Sequence, residues 1–595
     1  MLDAVPVPLQ ALTWPLLGAV LILLGRRFLP NWLRRLVALA AVLASLSVLW
    51  SLRSGPIERV EVLWEPLNLF RMSPSLYPDS LALQVGLTLA WITAASVLGV
   101  RGAQPHSTAW HGLLLVVLAG CLAMTMATNL ITLAIASALL DMGLMSMIVF
   151  SRHDADRVAW RMVVPGVTST LLLVIAALQM NAQVGSGSLS ARAVPLEILA
   201  LAGIAGALRL LIYPVHPRNL HTPENAAALL LSAGTGIYLL ARVQTIEPGL
   251  ADPGWLLLIG GVALLAGGLL AWMGSIGQTR EAKPSPAPGA YVPKTEDSAP
   301  LSGGADRQQA AGSRQPAAAK LWSGVAIHQA GFALVFLLLV GNPVPWPLFS
   351  LTLAMGIMLI WWDGESRITN RSQPQSPSAL MDRWWSQTGS TEARRFPTLV
   401  RFLLVLLPAL ALASLAGIPL TAGARGRWLF YGTLLGQTQS GLLIPVLVAD
   451  SLLIAGLVTM FRAVLNREGD WRPSPAAFLA MLALAIPLVV LGIVPGVLDL
   501  EPTQLQDVSV WGLGLMYVLP WLLGVLLSRV GGRLSNYAES VYRLVSLDWL
   551  FRAAYWLGQQ LSSIVYWVGQ VGEGQGWFGW VLIILALGTV LLIIR

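Results

Sequence analysis

The sequence predicts an all-α, polytopic integral membrane protein of about 16 transmembrane helices. Two of the helices are broken, and an amphipathic lateral helix lies near the C-terminus. Three observations predict this. Of 595 residues, 56% are hydrophobic and only 11% charged, with mean hydropathy +0.70, a balance soluble domains do not reach. Apolar runs long enough to cross a bilayer recur along the whole chain. Arginines gather in alternate segments between those runs, as the positive-inside rule requires.

The apolar runs lie near 8–25, 32–51, 80–100, 110–127, 129–150, 162–181, 196–214 and 223–244. They continue near 254–275, 322–340, 345–362, 397–434, 440–463, 475–497, 509–528 and 575–594, the run 397–434 being long and interrupted. Arg26 and Arg27 follow the first run, so it reads as a retained anchor and not a cleaved signal. With the N-terminus outside, the inner segments carry Arg34, Arg35, Arg101, Arg152, Arg157, Arg161, Arg394, Arg395, Arg462, Arg467, Arg529 and Arg533. The outer segment 498–508 carries Asp499, Glu501 and Asp507. The expected location is the cell membrane, with the polar linker and the lateral helix on the cytoplasmic side. The net charge of +8 fits this bias; a nucleic-acid partner would need the basic residues on one face.

The chain divides into N-terminal transmembrane helices (1–110), a first group of helices (111–276), a linker (277–319), a second group (320–472) and further transmembrane helices (473–534). Then come the lateral helix (535–574) and a final anchoring span (575–595). The linker is rich in Pro, Ala, Gly, Ser and Gln and reads as disordered. Residues 363–396 form a second polar loop. In 535–570 apolar and aromatic residues recur at helical spacing among polar ones, the pattern of a helix lying in the interface. Cys121 is the one cysteine and sits within an apolar run, so this chain alone cannot build a thiolate zinc site or an iron–sulfur cluster. No cofactor or metal is expected.

Residues 199–242 carry the first chemistry. An apolar helix bearing Arg209 meets Pro214 and Pro217, with His216 between them, before a second apolar helix ending Gly-Ile-Tyr-Leu-Leu-Ala-Arg. A broken helix beside a charge is tolerated at membrane depth only where it lines a polar cavity. It is also the usual pointer to an ion site near mid-membrane. The second interruption is Ser414-Leu-Ala-Gly-Ile-Pro-Leu-Thr-Ala-Gly-Ala-Arg-Gly-Arg-Trp428, where Gly417, Pro419 and Gly423 permit the break and Arg425 and Arg427 follow.

Both stretches resemble the antiporter-like subunits of respiratory complex I and of multisubunit cation/proton antiporters. Arg209 stands where that family has a lysine five residues before the proline, His216 matches its P-F-H element, and residues 236–242 match its G-V-Y-L-L-x-R. Arg427 takes the lysine position of the family's S-L-A-G-I-P-P-T-A-G-F-x-G-K-W. Residues 320–332 resemble its K-R-L-L-A-Y-S-S-I-S-Q-M-G-Y, and the lateral helix with its anchor resembles the C-terminus of the distal large subunit. The departures are specific. The family's glutamate on the fifth helix aligns with Leu140, with Asp141 one residue later and turned by ~100°. The lysine of its eighth helix appears as Gly234, and 345–362 contains no His or Lys.

The resemblance implies a subunit that takes part in proton translocation coupled to electron transfer in partner subunits, without a redox centre of its own. It also implies other membrane subunits and lipid as partners. The candidate intramembrane groups are Asp141, Arg209, His216, His328, Arg425, Arg427 and Asp450. Asp141 is either the functional ion-pair partner of Arg209, or else a structural ion pair or a helix-end residue. Asp450 neutralises Arg427 or Arg425, or bonds locally. His328 is a relay or a packed histidine, and Asp79 reads as a helix cap. Arginine keeps its proton at physiological pH, so the path is either modified or degenerate. A cation/proton antiporter or inorganic-carbon uptake subunit, and a non-conducting scaffold, are the alternatives.

Overall fold

A computed structural model describes residues 5–54, 59–61, 73–100, 109–151, 155–184, 194–211, 213, 223–246, 254–281, 317–340, 350, 352–362, 398–436, 440–466, 475–494 and 510–545, with scattered positions from 547 to 563. His216, Pro214, Pro217, the polar segments 282–316 and 363–397, and the last span lie outside the described residues.

In chain order the helices are α1 (Val7–Leu24), α2 (Asn31–Ser54), α3 (Ser80–Gly99), α4 (Trp110–Met126), α5 (Leu130–Ser151), α6 (Ala155–Val184), α7 (Leu196–Arg209), α8 (Pro223–Ile246) and α9 (Gly254–Glu281). They continue as α10 (Ala317–Val340), α11 (Thr352–Trp362), α12 (Thr398–Ala416), α13 (Ala422–Gly436), α14 (Leu443–Asn466), α15 (Pro475–Ile493), α16 (Val510–Val530) and α17 (Ser535–Val545). Among the described residues, 11 helices are long and apolar enough to cross a membrane, and three shorter apolar helices accompany them. The chain is a multi-pass membrane protein. The helices α1 to α16 fall on the apolar runs of the sequence, and the run at 397–434 resolves into α12 and α13. Helix is the necessary choice, because backbone groups in lipid must be satisfied within their own segment.

One element departs from the all-α expectation. Val60–Glu61 and Ser75–Leu76 form a two-residue antiparallel pair. Strands this short leave no period-2 pattern in sequence.

The chain forms two compact units, Met1–Tyr542 and Arg543–Arg595. In the first, α9 and α10 meet through a seam of glycines spaced seven apart: Gly260, Gly267 and Gly274 against Gly324 and Gly331. A Cβ at Gly267 would lie 2.2 Å from the backbone nitrogen of His328, and one at Gly324 2.3 Å from that of Ala271. Small residues let helix backbones approach closely in a membrane, where dispersion replaces the hydrophobic effect as the driving force. The exposed large side chains of α1, including Leu17, Val20 and Leu21, form the apolar face a bilayer covers.

The lateral helix expected over 535–570 lies only in part within the described residues. α17 ends at Val545, and Leu547 adopts φ 49. A leucine in the left-handed region interrupts a helix because its Cβ crowds the backbone. Helical positions recur at scattered residues up to Ser563.

Candidate functional site: two buried ion pairs at helix breaks

The first centre is assembled by α5, α6 and α7. Arg209 is the last residue of α7 and fully buried. Its Nη2 lies 2.9 Å from Oδ2 of Asp141 on α5. The same nitrogen donates to Oγ1 of Thr170 at 3.0 Å, to the Ser137 carbonyl at 3.2 Å and to the Ser137 hydroxyl. Thr170 in turn donates to Oδ2 of Asp141 at 2.6 Å. Asp141 is therefore the partner of Arg209. Leu140, one residue earlier, is fully buried and abuts Gly120 of α4, so the one-residue offset carries the carboxylate to the α6–α7 side. Gly166 of α6 makes room for it, since a Cβ there would sit 2.5 Å from Oδ1. That oxygen, and Nε and Nη1 of Arg209, are buried without hydrogen-bond partners among the described residues.

Past Arg209 the helix stops. Leu210 still donates to the Gly206 carbonyl, but Leu211 takes φ 55. Gly236 of α8 lies against this end, where a Cβ would come 2.5 Å from the Leu210 nitrogen. The residues that follow, with Pro214 and Pro217, are outside the described set.

The second centre is built by α10, α13 and α14 around Asp450, which is fully buried. Nη1 of Arg427 lies 2.6 Å from Oδ1, and Nε2 of His328 lies 3.1 Å from the same oxygen. Tyr431, one turn beyond Arg427, donates its hydroxyl to Oδ2. Nη2 of Arg427 donates to the Leu415 carbonyl at 2.7 Å, a group near the end of α12 that the helix itself leaves free. The Arg427 guanidinium also stands 5.8 Å from the ring centre of Phe332, on the same face of α10 as His328. Between α12 and α13 the break runs through Gly417 at φ 78 and Leu420 at φ 70. Gly417 has a second role, since a Cβ there would fall 2.3 Å from Cδ of Arg427. Gly423 packs its backbone against the Ser414 carbonyl, 1.8 Å from where a Cβ would stand. Pro419 lies in the exposed turn of the break.

Arg425 is not part of this centre. It is half-exposed and reaches the Ile493 carbonyl at 3.5 Å. Asp450 thus pairs with Arg427, and the reading in which it serves either arginine narrows to one.

Asp79 caps α3, accepting from the Ala82 nitrogen at 2.9 Å, and is also held by Nη1 of Arg242 at 2.5 Å. Arg242, the end of the Gly-Ile-Tyr-Leu-Leu-Ala-Arg run, further donates to the Tyr238 hydroxyl at 2.9 Å. This triad fastens α8 to the start of α3. Gly234 faces Leu89 of α3, 2.5 Å from where a Cβ would be, so a leucine fills the space that a longer side chain would need. Sequence reasoning did not find Ser137, Thr170 or Tyr431. Ser137 and Tyr431 were within its reach, because each lies one helical turn from a charge, at i−4 of Asp141 and i+4 of Arg427.

Among the described residues no group of three or more His, Cys, Asp or Glu is placed to hold a metal ion. Arginine does not release its proton. Each centre is therefore a fixed cation facing a carboxylate, neutral as a pair, at the broken end of a helix.

No family model matches this sequence, and neither does any curated protein sequence. Solved structures do share its fold. A chain of the Mrp complex from Dietzia sp. DQ12-45-1b superposes with a TM-score of 0.68 over 99% of this chain, at 16% identity. This chain spans 63% of that Mrp chain's length. A chain of the membrane-bound sulfane sulfur reductase, an archaeal respiratory membrane complex, gives 0.64 at 16% identity, covering 98% of this chain and 99% of that one. A chain of respiratory complex I from Thermus thermophilus gives 0.56 at 18% identity, covering 82% and 98%. The fold is that of membrane chains from these assemblies.

Proposed function

We propose that the chain is an antiporter-like membrane subunit of a multisubunit complex I-type assembly. It takes part in proton translocation coupled to electron transfer in partner subunits, along a path modified from that of the proteins it resembles. The observation that supports this best is the pair of buried centres, Arg209–Asp141 and Arg427–Asp450, each at a helix break. Charges at that depth are costly and are kept where they face a polar pathway. The shared fold with chains of three ion-translocating or respiratory complexes supports the same reading. In this path the arginines are standing charges that set the potential around the carboxylates, and the partners are other membrane subunits. The chain sits in the cell membrane with its N-terminus outside.

A sodium/proton antiporter or carbon-uptake subunit is the second reading, favoured by the Mrp chain that covers almost all of this sequence. A non-conducting scaffold is the third, favoured by the leucine that occupies the space beside Gly234.

The test is extraction in mild detergent through a tag on this chain, followed by mass spectrometry and reconstitution. Redox subunits in the purified complex, with donor-driven proton uptake into liposomes, support the leading reading. Small membrane subunits without redox partners, with cation-driven proton exchange, move it to the second. Assembly with intact transport after Asp141→Asn and Asp450→Asn together moves it to the third.

A further inference from the structure

The two centres are not equivalent. The first holds one arginine and one carboxylate, completed by neutral hydroxyls from Ser137 and Thr170. The second holds the same pair plus an imidazole. His328 is fully buried, and α9 fixes its backbone by close approach at Gly267. Nε2 faces Oδ1 of Asp450 at 3.1 Å. A carboxylate only accepts, so the neutral ring facing it carries its proton on Nε2. The lone pair is then on Nδ1; among the described residues neither ring nitrogen makes a hydrogen bond of normal geometry, and Nε2 meets Oδ1 by proximity alone. A buried polar atom without a partner costs free energy and calls for an explanation.

The next residue points the same way. Gln329 is 5% exposed, and among the described residues neither amide atom has a hydrogen-bond partner. It lines a cavity of about 50 Å³ together with Trp322, Ala326 and Ala330 of α10, Leu210 and Leu211 at the end of α7, and Thr352 of α11. The rest of the lining is mostly apolar. α10 therefore presents His328 to the second centre on one face and a polar amide to a small cavity beside the first helix break on another.

We infer that His328 is the proton-exchanging group of this chain, in place of the lysines that its arginines replace; this rests on the function proposed above. Hydronium delivers its proton to Nδ1, leaving water and an imidazolium whose Nε2–H remains on Asp450. The centre passes from net zero to +1, and release reverses the step. Asp450 holds the added charge, Arg427 opposes it, and the Tyr431 hydroxyl steadies the carboxylate. Those are the charged and titratable groups that the described residues of α13 and α14 place here, and at the α9 contact the backbone of Gly267 meets the ring's residue. Arg427 cannot substitute, because it does not give up its proton.

The test uses the purified complex with ring-labelled histidine. Infrared difference spectra between pH 5 and pH 9 are compared for wild type and His328→Gln, and proton transport is followed in liposomes over the same range. The expected results are an imidazole band that titrates in wild type and is missing in the variant, and a transport rate lowered about tenfold or more with its acid limb gone. Tyr431→Phe keeps His328 and both ionic partners of Asp450, and is expected to move the midpoint of that band. A wild-type spectrum whose titrating bands all survive His328→Gln overturns the inference, as does a midpoint indifferent to Tyr431→Phe. An unchanged pH profile in His328→Gln, with transport intact, overturns the inference and leaves the proposed function standing. Absence of any ion transport in the wild-type complex defeats the proposed function instead, while the infrared titration still reports on His328.

Discussion

Nη2 of Arg209 serves Asp141, Thr170 and Ser137 together, so the first centre depends on one nitrogen. Removing one partner of a buried ion pair leaves an uncompensated charge and costs about 3–5 kcal/mol, whereas an apolar replacement of both is often close to neutral. Asp141→Asn is therefore expected to lower stability by about that amount in thermal unfolding in detergent. The double variant Asp141→Leu/Arg209→Leu is expected to cost less than the sum of its single changes. Additive single changes would mean that the two groups do not interact as charges. Gly166→Ala is expected to disturb the same pair without altering any charge, because its Cβ meets Oδ1 of Asp141; a variant with wild-type melting and transport would show that the contact is slack. How Asp141 faces was not legible in the sequence. An offset of one residue turns a side chain by ~100°, and only the packing of Leu140 on Gly120 decides which way. The hydroxyl of Thr170 was invisible for a different reason: it lies on another helix, and threonine in membrane helices usually bonds its own backbone.

The two breaks show what an element contributes. The second was legible because Gly417, Pro419 and Gly423 punctuate an otherwise apolar run. Gly417 takes φ 78 and also abuts Arg427, so it answers to backbone strain and to the ion pair at once. Gly417→Ala is expected to cost about 1–3 kcal/mol and to impair transport more than an equally destabilising change on the lipid face of α1. Equal impairment by both would reduce the break to a structural feature. The left-handed leucines, Leu211 and Leu420, were not legible, since nothing in a leucine announces positive φ. Neither was the turn at Leu547, because the spacing of apolar residues runs on through it.

On the scale of the whole molecule, apolar run length located α1 to α16, because lipid imposes both helix and length. The orientation rests on the arginine bias alone. Since Cys121 is buried, a single added cysteine in the linker, Ser298→Cys, is expected to react with an impermeant maleimide in inverted vesicles and not in right-side-out ones. The reverse pattern would invert the topology. If both arginine–carboxylate centres belong to an ion path, the decisive comparison is proton uptake into liposomes that hold the purified complex, wild type against Asp450→Asn, with assembly verified by subunit composition. The expected result is an assembled complex whose uptake falls at least about tenfold, the scale of a lost proton-transfer group. Uptake at the wild-type rate in a fully assembled Asp450→Asn complex would contradict such a path and leave the buried charges as scaffolding.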